Sequence, residues 1–110
     1  MTDVRIENKD LPTTFSLDQN YPNPFNPSTT IQFALPTSAQ VTLQVFNVLG
    51  QEVATLVKGE RAAGTYQVLW DGRTSSGAPV ASGVYFYSLV AKGGNINGSF
   101  TTFKKMLLLK

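Results

Sequence analysis

The sequence contains neither cysteine nor histidine. No disulfide framework and no thiolate metal site can therefore form. The same two absences remove a Ser-His-Asp triad, a cysteine nucleophile and a His-ligated metal, and most hydrolase chemistry goes with them. Charge is also scarce. Nine Lys and Arg face seven Asp and Glu for a net charge of +2, and the basic residues are scattered except at the end of the chain. Tracking a phosphate backbone needs a clustered basic face, so nucleic acid is excluded as a partner. No window is long enough to span a membrane as a helix, and the start lacks a basic region followed by a long apolar run. The sequence thus shows no signal peptide, and an exported form would be cut from a longer precursor. Lack of cysteine fits the cytosol and the outside of a bacterium equally.

What is present is a foldable, lightly charged chain of 110 residues, 42% hydrophobic and 15% charged. That length supports one domain with an ordinary core. Residues 1–14 are mixed polar and read as a leader; residues 15–110 read as the domain. Phe15, Ser16 and Leu17 begin the first apolar alternation. Period two then dominates: Ile31, Phe33 and Leu35 share one strand face, and Val41, Leu43 and Val45 share another. Asn47 to Gly50 turn the second of these strands into a hairpin partner over residues 51–57. Tyr66, Val68 and Trp70 make a further face. Residues 83–90 are apolar or aromatic on both faces, as expected of a central strand covered on both sides. A glycine-rich turn over 93–98 leads to a last strand from Ser99. About seven short strands with no helical periodicity predict an all-β chain, an immunoglobulin-like antiparallel β-sandwich, with a small barrel as the competing architecture.

Two stretches stand apart from the alternation. In residues 20–28, Pro22, Pro24 and Pro27 fix φ, remove backbone donors and push Tyr21, Asn23 and Asn26 out of the helical region. With Tyr21 and Phe25 as two large anchors, this segment is expected to be pinned across the end or edge of the sandwich, blunting an exposed strand. Its spacing also fits a proline-rich ligand. The second stretch is the tail: Lys104, Lys105, Met106, Leu107, Leu108, Leu109 and Lys110, an apolar run between lysines. It is either the strand that closes a sheet, with lysines as gatekeepers against aggregation, or an address that a partner reads by strand addition, with lysines steering.

Candidate chemistry is thin. Glu52 and Glu60 are the only nearby carboxylates for acid–base work, and both read as solvated. Asp71 lacks the alternating acids of a calcium loop and reads as a turn residue accepting local backbone donors. Trp70, Tyr85 and Tyr87 would make a sugar-stacking platform if displayed, but the register of Trp70 with Tyr66 and Val68 points to the core. Asn97, Gly98 and Ser99 fit a glycosylation acceptor. No cofactor is expected, and the chain reads as non-catalytic.

Five blocks in order resemble one family: Tyr21-Pro22-Asn23-Pro24-Phe25-Asn26-Pro27; Phe46-Asn47-Val48-Leu49-Gly50-Gln51-Glu52-Val53; Gly64-Thr65-Tyr66 with Trp70-Asp71-Gly72; Ala81-Ser82-Gly83-Val84-Tyr85-Phe86-Tyr87; and the tail. The pattern is similar to the type A C-terminal sorting domain of the Bacteroidetes-type type IX secretion system. Its central blocks also resemble the immunoglobulin-like domain of flagellar hook-capping proteins. The first resemblance implies a C-terminal secretion signal on a larger secreted or surface protein. Its partners would be an outer-membrane translocon, a sortase-like peptidase cutting within the leader, and an upstream cargo domain. It places recognition on Gly83 and Tyr85 and on Lys104, Lys105, Met106, Leu107, Leu108, Leu109 and Lys110. A carbohydrate-binding or adhesion module is the alternative function.

Overall fold

The computed structural model describes residues 11–93 and 98–110. The first ten residues of the expected leader, most of the expected 93–98 turn and Asn97 of the acceptor pattern lie outside the described residues. Seven strands follow one another along the chain: β1 Ser16–Leu17, β2 Thr29–Leu35, β3 Ala39–Phe46, β4 Glu52–Arg61, β5 Gly64–Trp70, β6 Gly83–Lys92 and β7 Ser99–Leu108. They form two antiparallel sheets, one in the order β1-β2-β5 and the other in the order β4-β3-β6-β7. Two separate sheets make a sandwich, so the barrel is removed and the immunoglobulin-like expectation holds.

Alternation built these strands. In β2 the residues Ile31, Phe33 and Leu35 are buried while Gln32 and Ala34 are half-buried, and β3 repeats this with Val41, Leu43 and Val45. The two strands lie in different sheets, so their inward faces meet across the sandwich with Tyr87 and Leu89 of β6. Each fully buried Val, Leu, Ile or Phe contributes about 1.5–3 kcal/mol relative to exposure. The β3–β4 hairpin turns on Asn47, whose side-chain oxygen accepts the N–H groups of Leu49 and Gln51 at 2.9 and 3.0 Å. An Asn side chain that mimics a backbone acceptor in this way is a local turn device, legible without any tertiary partner.

Two expectations are corrected here. Strand β6 is central, between β3 and β7, but only one of its faces is covered. Tyr85, Tyr87, Leu89 and Ala91 are buried, whereas Val84, Phe86, Ser88 and Val90 on the other face are only half-buried. Among the described residues, no layer packs on that outer face. In the proline segment, Phe25 is the one real anchor, 2% exposed against Trp70 at a ring separation of 5.7 Å, while Tyr21 is 80% exposed. Tyr21 holds its place through the main chain instead, exchanging N–H···O bonds with Thr30 at 2.9 Å.

Candidate functional site

Strand β7 is an edge strand, and its register with β6 is uninterrupted from Lys92 opposite Ser99 to Gly83 opposite Leu108. This pairing brings the scattered candidate residues together: Gly83 lies opposite Leu108, and Tyr85 opposite Met106. Gly83 has φ of 149°, a conformation that side chains rarely adopt, although a Cβ there would meet open space. Its requirement for glycine is conformational, not steric. Tyr85 packs edge-on to Trp70 at 5.6 Å and donates its hydroxyl to the Ala81 carbonyl at 2.6 Å. Burial pushes its pKa above the ordinary tyrosine value.

The tail alternates as a strand must. Met106 and Leu108 are fully buried in the core, Leu107 is half-buried on the outer face, and Leu109 is 50% exposed. The same alternation splits the lysines. Lys104 shares the inward parity of Met106 and is half-buried, Lys105 is exposed on the outer face, and Lys110 is exposed beyond the strand. They do not form one basic patch.

Met106 and Leu108 are held in place from three directions. Beyond β6, the proline segment runs beside the outer edge of β7 in a parallel bridge between Phe25 and Leu108. The Phe25 N–H donates to the Leu107 carbonyl and the Leu109 N–H to the Phe25 carbonyl, both at 3.0 Å. The Leu107 N–H donates to the Asn23 side-chain oxygen at 3.0 Å, and the Gln19 amide donates to the Lys105 carbonyl at 2.8 Å. The expected blunting of an exposed strand is thus present, and the strand is the tail itself. At the end of the strand the Lys110 N–H donates to the Ser82 hydroxyl at 3.0 Å. The 71–80 loop closes the third side. Gly72 has φ of 75°, and a Cβ there would stand 3.0 Å from the Pro27 carbonyl oxygen and 3.8 Å from Leu108, so only glycine admits this approach.

A buried polar knot fixes the proline segment, and no sequence motif announces it. The Asn20 N–H donates to the Tyr87 hydroxyl at 2.8 Å, and that hydroxyl donates to the Asp18 carbonyl at 2.7 Å. The Asn20 amide reaches the Thr29 hydroxyl at 2.9 Å and the Pro22 carbonyl at 3.1 Å, and Thr29 donates to the same carbonyl at 2.9 Å. Asn20 and Thr29 are 2% and 1% exposed, so each needs these partners to offset its desolvation. Tyr87 is pushed up to about 12, chiefly by burial; the Asn20 hydrogen bond opposes the shift and the nearby Asp18 charge adds to it. The one signal available in sequence was an Asn directly before a Tyr-Pro pair.

The remaining candidates are not brought together. Trp70, Tyr85 and Tyr87 are 1%, 7% and 0% exposed, so no stacking platform forms from them. Glu52 and Glu60 stand eight residues apart in one strand, roughly 26 Å at the rise of a β-strand, too far to share a substrate. Glu52 accepts from the Thr55 hydroxyl. Asp71 pairs with Arg73 at 3.9 Å in the open, a correction to its expected backbone role. Among the described residues, two shallow depressions stand out. One, about 380 Å³, is lined by polar residues that bond each other, Gln32 with Asp18 and Gln67 with Gln32, all at 3.0 Å. The other, about 370 Å³, lies on the outer face of the four-stranded sheet against Phe46, Val48, Phe86 and Phe103. Phe86 and Phe103 meet edge-on there at 6.3 Å, and Phe103 is 67% exposed.

The family described as the FlgD Ig-like domain matches residues 23–95. No curated protein matches the chain. Among solved structures, FlgD from P. aeruginosa is 26% identical over 71% of this chain and 60% of its own, with a TM-score of 0.56. Dimeric latent PorU from Porphyromonas gingivalis is 19% identical with a TM-score of 0.68, over 89% of this chain and 10% of that one. PorZ, described as an essential bacterial surface component of the type-IX secretion system of the same organism, is 19% identical with a TM-score of 0.55, over 87% of this chain and 11% of that one. The chain therefore spans about a tenth of the length of PorU and PorZ. At these identities the two likenesses establish the fold.

Proposed function

The chain belongs to the FlgD Ig-like domain family, and from that premise we propose that it is a non-catalytic sorting module, carrying a larger cargo across the outer membrane through a type IX secretion system. The observation that carries this reading is the build of the tail. Met106 and Leu108 complete the core while Lys105, Leu107, Leu109 and Lys110 lie along its hydrogen-bonded edge. Such an edge offers a partner a shape that exists only in the folded module, with little ordering entropy left to lose on binding.

The five sequence blocks support the assignment, as does the likeness to a small part of PorZ, a surface component of that secretion system. The module would be read with its tail docked, because peeling the tail would expose Met106 and Leu108 and strip hydrogen bonds from Asn23 and Phe25. Residues 1–14 would carry the cleavage site of a sortase-like peptidase, and the cargo would precede them. Its location would be the periplasm in transit and the cell surface at the end. The alternative of a sugar-binding module loses its platform with the burial of Trp70, Tyr85 and Tyr87.

The test is a fusion of the whole chain behind a periplasmic reporter in a host with this secretion system. The reporter reaches the surface if the reading is right; a folded reporter retained in the periplasm sinks it.

A further inference from the structure

The cover over the β7 edge is incomplete. Along an antiparallel strand, main-chain groups point alternately toward each neighbour. Leu107 and Leu109 give their N–H groups outward, Leu107 also its carbonyl, and the Lys105 carbonyl goes to Gln19. Because the register with β6 has no break, Phe103 and Thr101 share this outward parity. Among the described residues, no hydrogen bond reaches their outward N–H and carbonyl groups. The proline segment thus protects the carboxy-terminal half of the edge and stops short of the other half.

The open half is not neutral ground. Phe103 stands beside it, 67% exposed, continuous with Phe86 and the shallow apolar depression on the outer face. On the outer face Lys92 and Lys105 flank it, and neither β6 nor β7 holds an Asp or Glu. A bare edge is usually guarded against self-pairing, and lysine is the common guard. Here Lys92 and Lys105 oppose a second copy, which would bring the same two cations, and favour a strand of opposite charge.

We propose that the open half of the β7 edge, at Thr101 and Phe103, takes up an extended acidic strand of a partner protein by strand addition, with an apolar side chain of that strand resting on Phe103 and Phe86. Main-chain bonds to Thr101 and Phe103 supply affinity, and alternating carboxylates facing Lys105 supply selectivity. The inference rests on the sorting reading, and it assigns the reading surface to a part of β7 that lies outside residues 104–110.

Two experiments test it. In the first, the full chain is titrated with a hexapeptide alternating glutamate with valine or phenylalanine and followed by amide NMR. Shifts centred on Thr101, Phe103 and Lys105 are expected. Replacing glutamate by lysine should weaken binding about tenfold, and N-methylation of the residues facing β7 should abolish it. No binding, binding indifferent to N-methylation, or shifts confined to residues 20–28 overturn the proposal, as does a self-associated dimer that the peptide cannot displace. In the second, Thr101→Pro and, separately, Phe103→Ser are placed in the reporter fusion. Pro removes an outward donor that the β6 ladder does not use. Both variants should lose most surface display while melting cooperatively. If the unaltered fusion is not displayed, the sorting reading itself fails. If it is displayed and the folded variants are displayed equally, the sorting reading stands and the open edge is not the reading surface.

Discussion

Cutting the chain after Lys105 is the obvious way to ask whether the tail is an address, and the structure predicts that it would not give a clean answer. The cut removes Met106 and Leu108, both 0% exposed. It also removes the main-chain partners of Phe25 at Leu107 and Leu109. Truncating one buried Leu or Met to Ala costs about 2–5 kcal/mol, and each lost hydrogen bond adds about 0.5–1.5 kcal/mol. A domain of this size is stable by only about 5–15 kcal/mol. The truncated chain should therefore be unfolded, or so marginal that loss of export reports loss of fold. The milder Leu108→Ala change should leave a folded protein with a urea midpoint lowered by about 1–2 M, at the slopes usual for small domains. Trp70 provides the probe: it is 1% exposed and packs on Phe25, which bridges to Leu108. A truncated chain with an unshifted, cooperative urea transition by Trp70 fluorescence would refute the placement of the tail in the core.

Tyr87→Phe removes the hydroxyl that joins Asp18 to Asn20 and leaves the buried Asn20 N–H and the part-buried Asp18 carbonyl without that partner, at a cost of about 1–3 kcal/mol by urea unfolding; a neutral result would mean that water fills the gap. The same hydroxyl makes stability fall in alkali. Its folded pKa, near 12, exceeds the unfolded value of 10, so the folded state holds the proton more tightly. The contribution is intact below pH 10 and is lost as pH rises toward 12, by up to about 2–3 kcal/mol. Tyr85, also raised by burial, adds loss of the same sign, and a flat denaturation midpoint between pH 9 and 11.5 would contradict both. Gly83→Ala meets no atom but is held at φ of 149°, so it should cost about 1–3 kcal/mol through backbone strain alone; thermal melting decides.

How far the fold was legible follows from the kind of signal each part emits. Ile31, Phe33 and Leu35 announce their strand by period two, and the core follows from that. Phe25 was legible because a large apolar residue among prolines has little else to do than anchor. Tyr21 carries the same local signal yet is held by its main chain, because only the position of Thr30 decides where its ring points. Strand β6 read as covered on both faces because Val84, Phe86 and Val90 are apolar; nothing in a single sequence says that, among the described residues, no layer packs on them. The knot of Asn20, Thr29 and Tyr87 joins residues 67 apart in the chain, and no local pattern encodes such a contact. Of the site, the meeting of Gly83 and Tyr85 with the tail came from pairing, while the division of Lys104 from Lys105 was implicit in alternation. Coverage of half the β7 edge depends on where the proline segment ends in space, which the sequence does not state.

The central claim is that the module is read folded, with its tail in place, and absence of cysteine makes a clean lock possible. Val84 and Leu107 face each other on the outer side in a pair that the β6–β7 ladder does not hydrogen-bond, with the close Cα approach that a disulfide needs. Val84→Cys with Leu107→Cys, oxidised in the periplasm, staples the tail to β6. The account predicts that the stapled reporter fusion reaches the cell surface as well as the unstapled one. Retention of the stapled fusion, with the single-cysteine variants still displayed, would show that the tail must leave the sheet to be read.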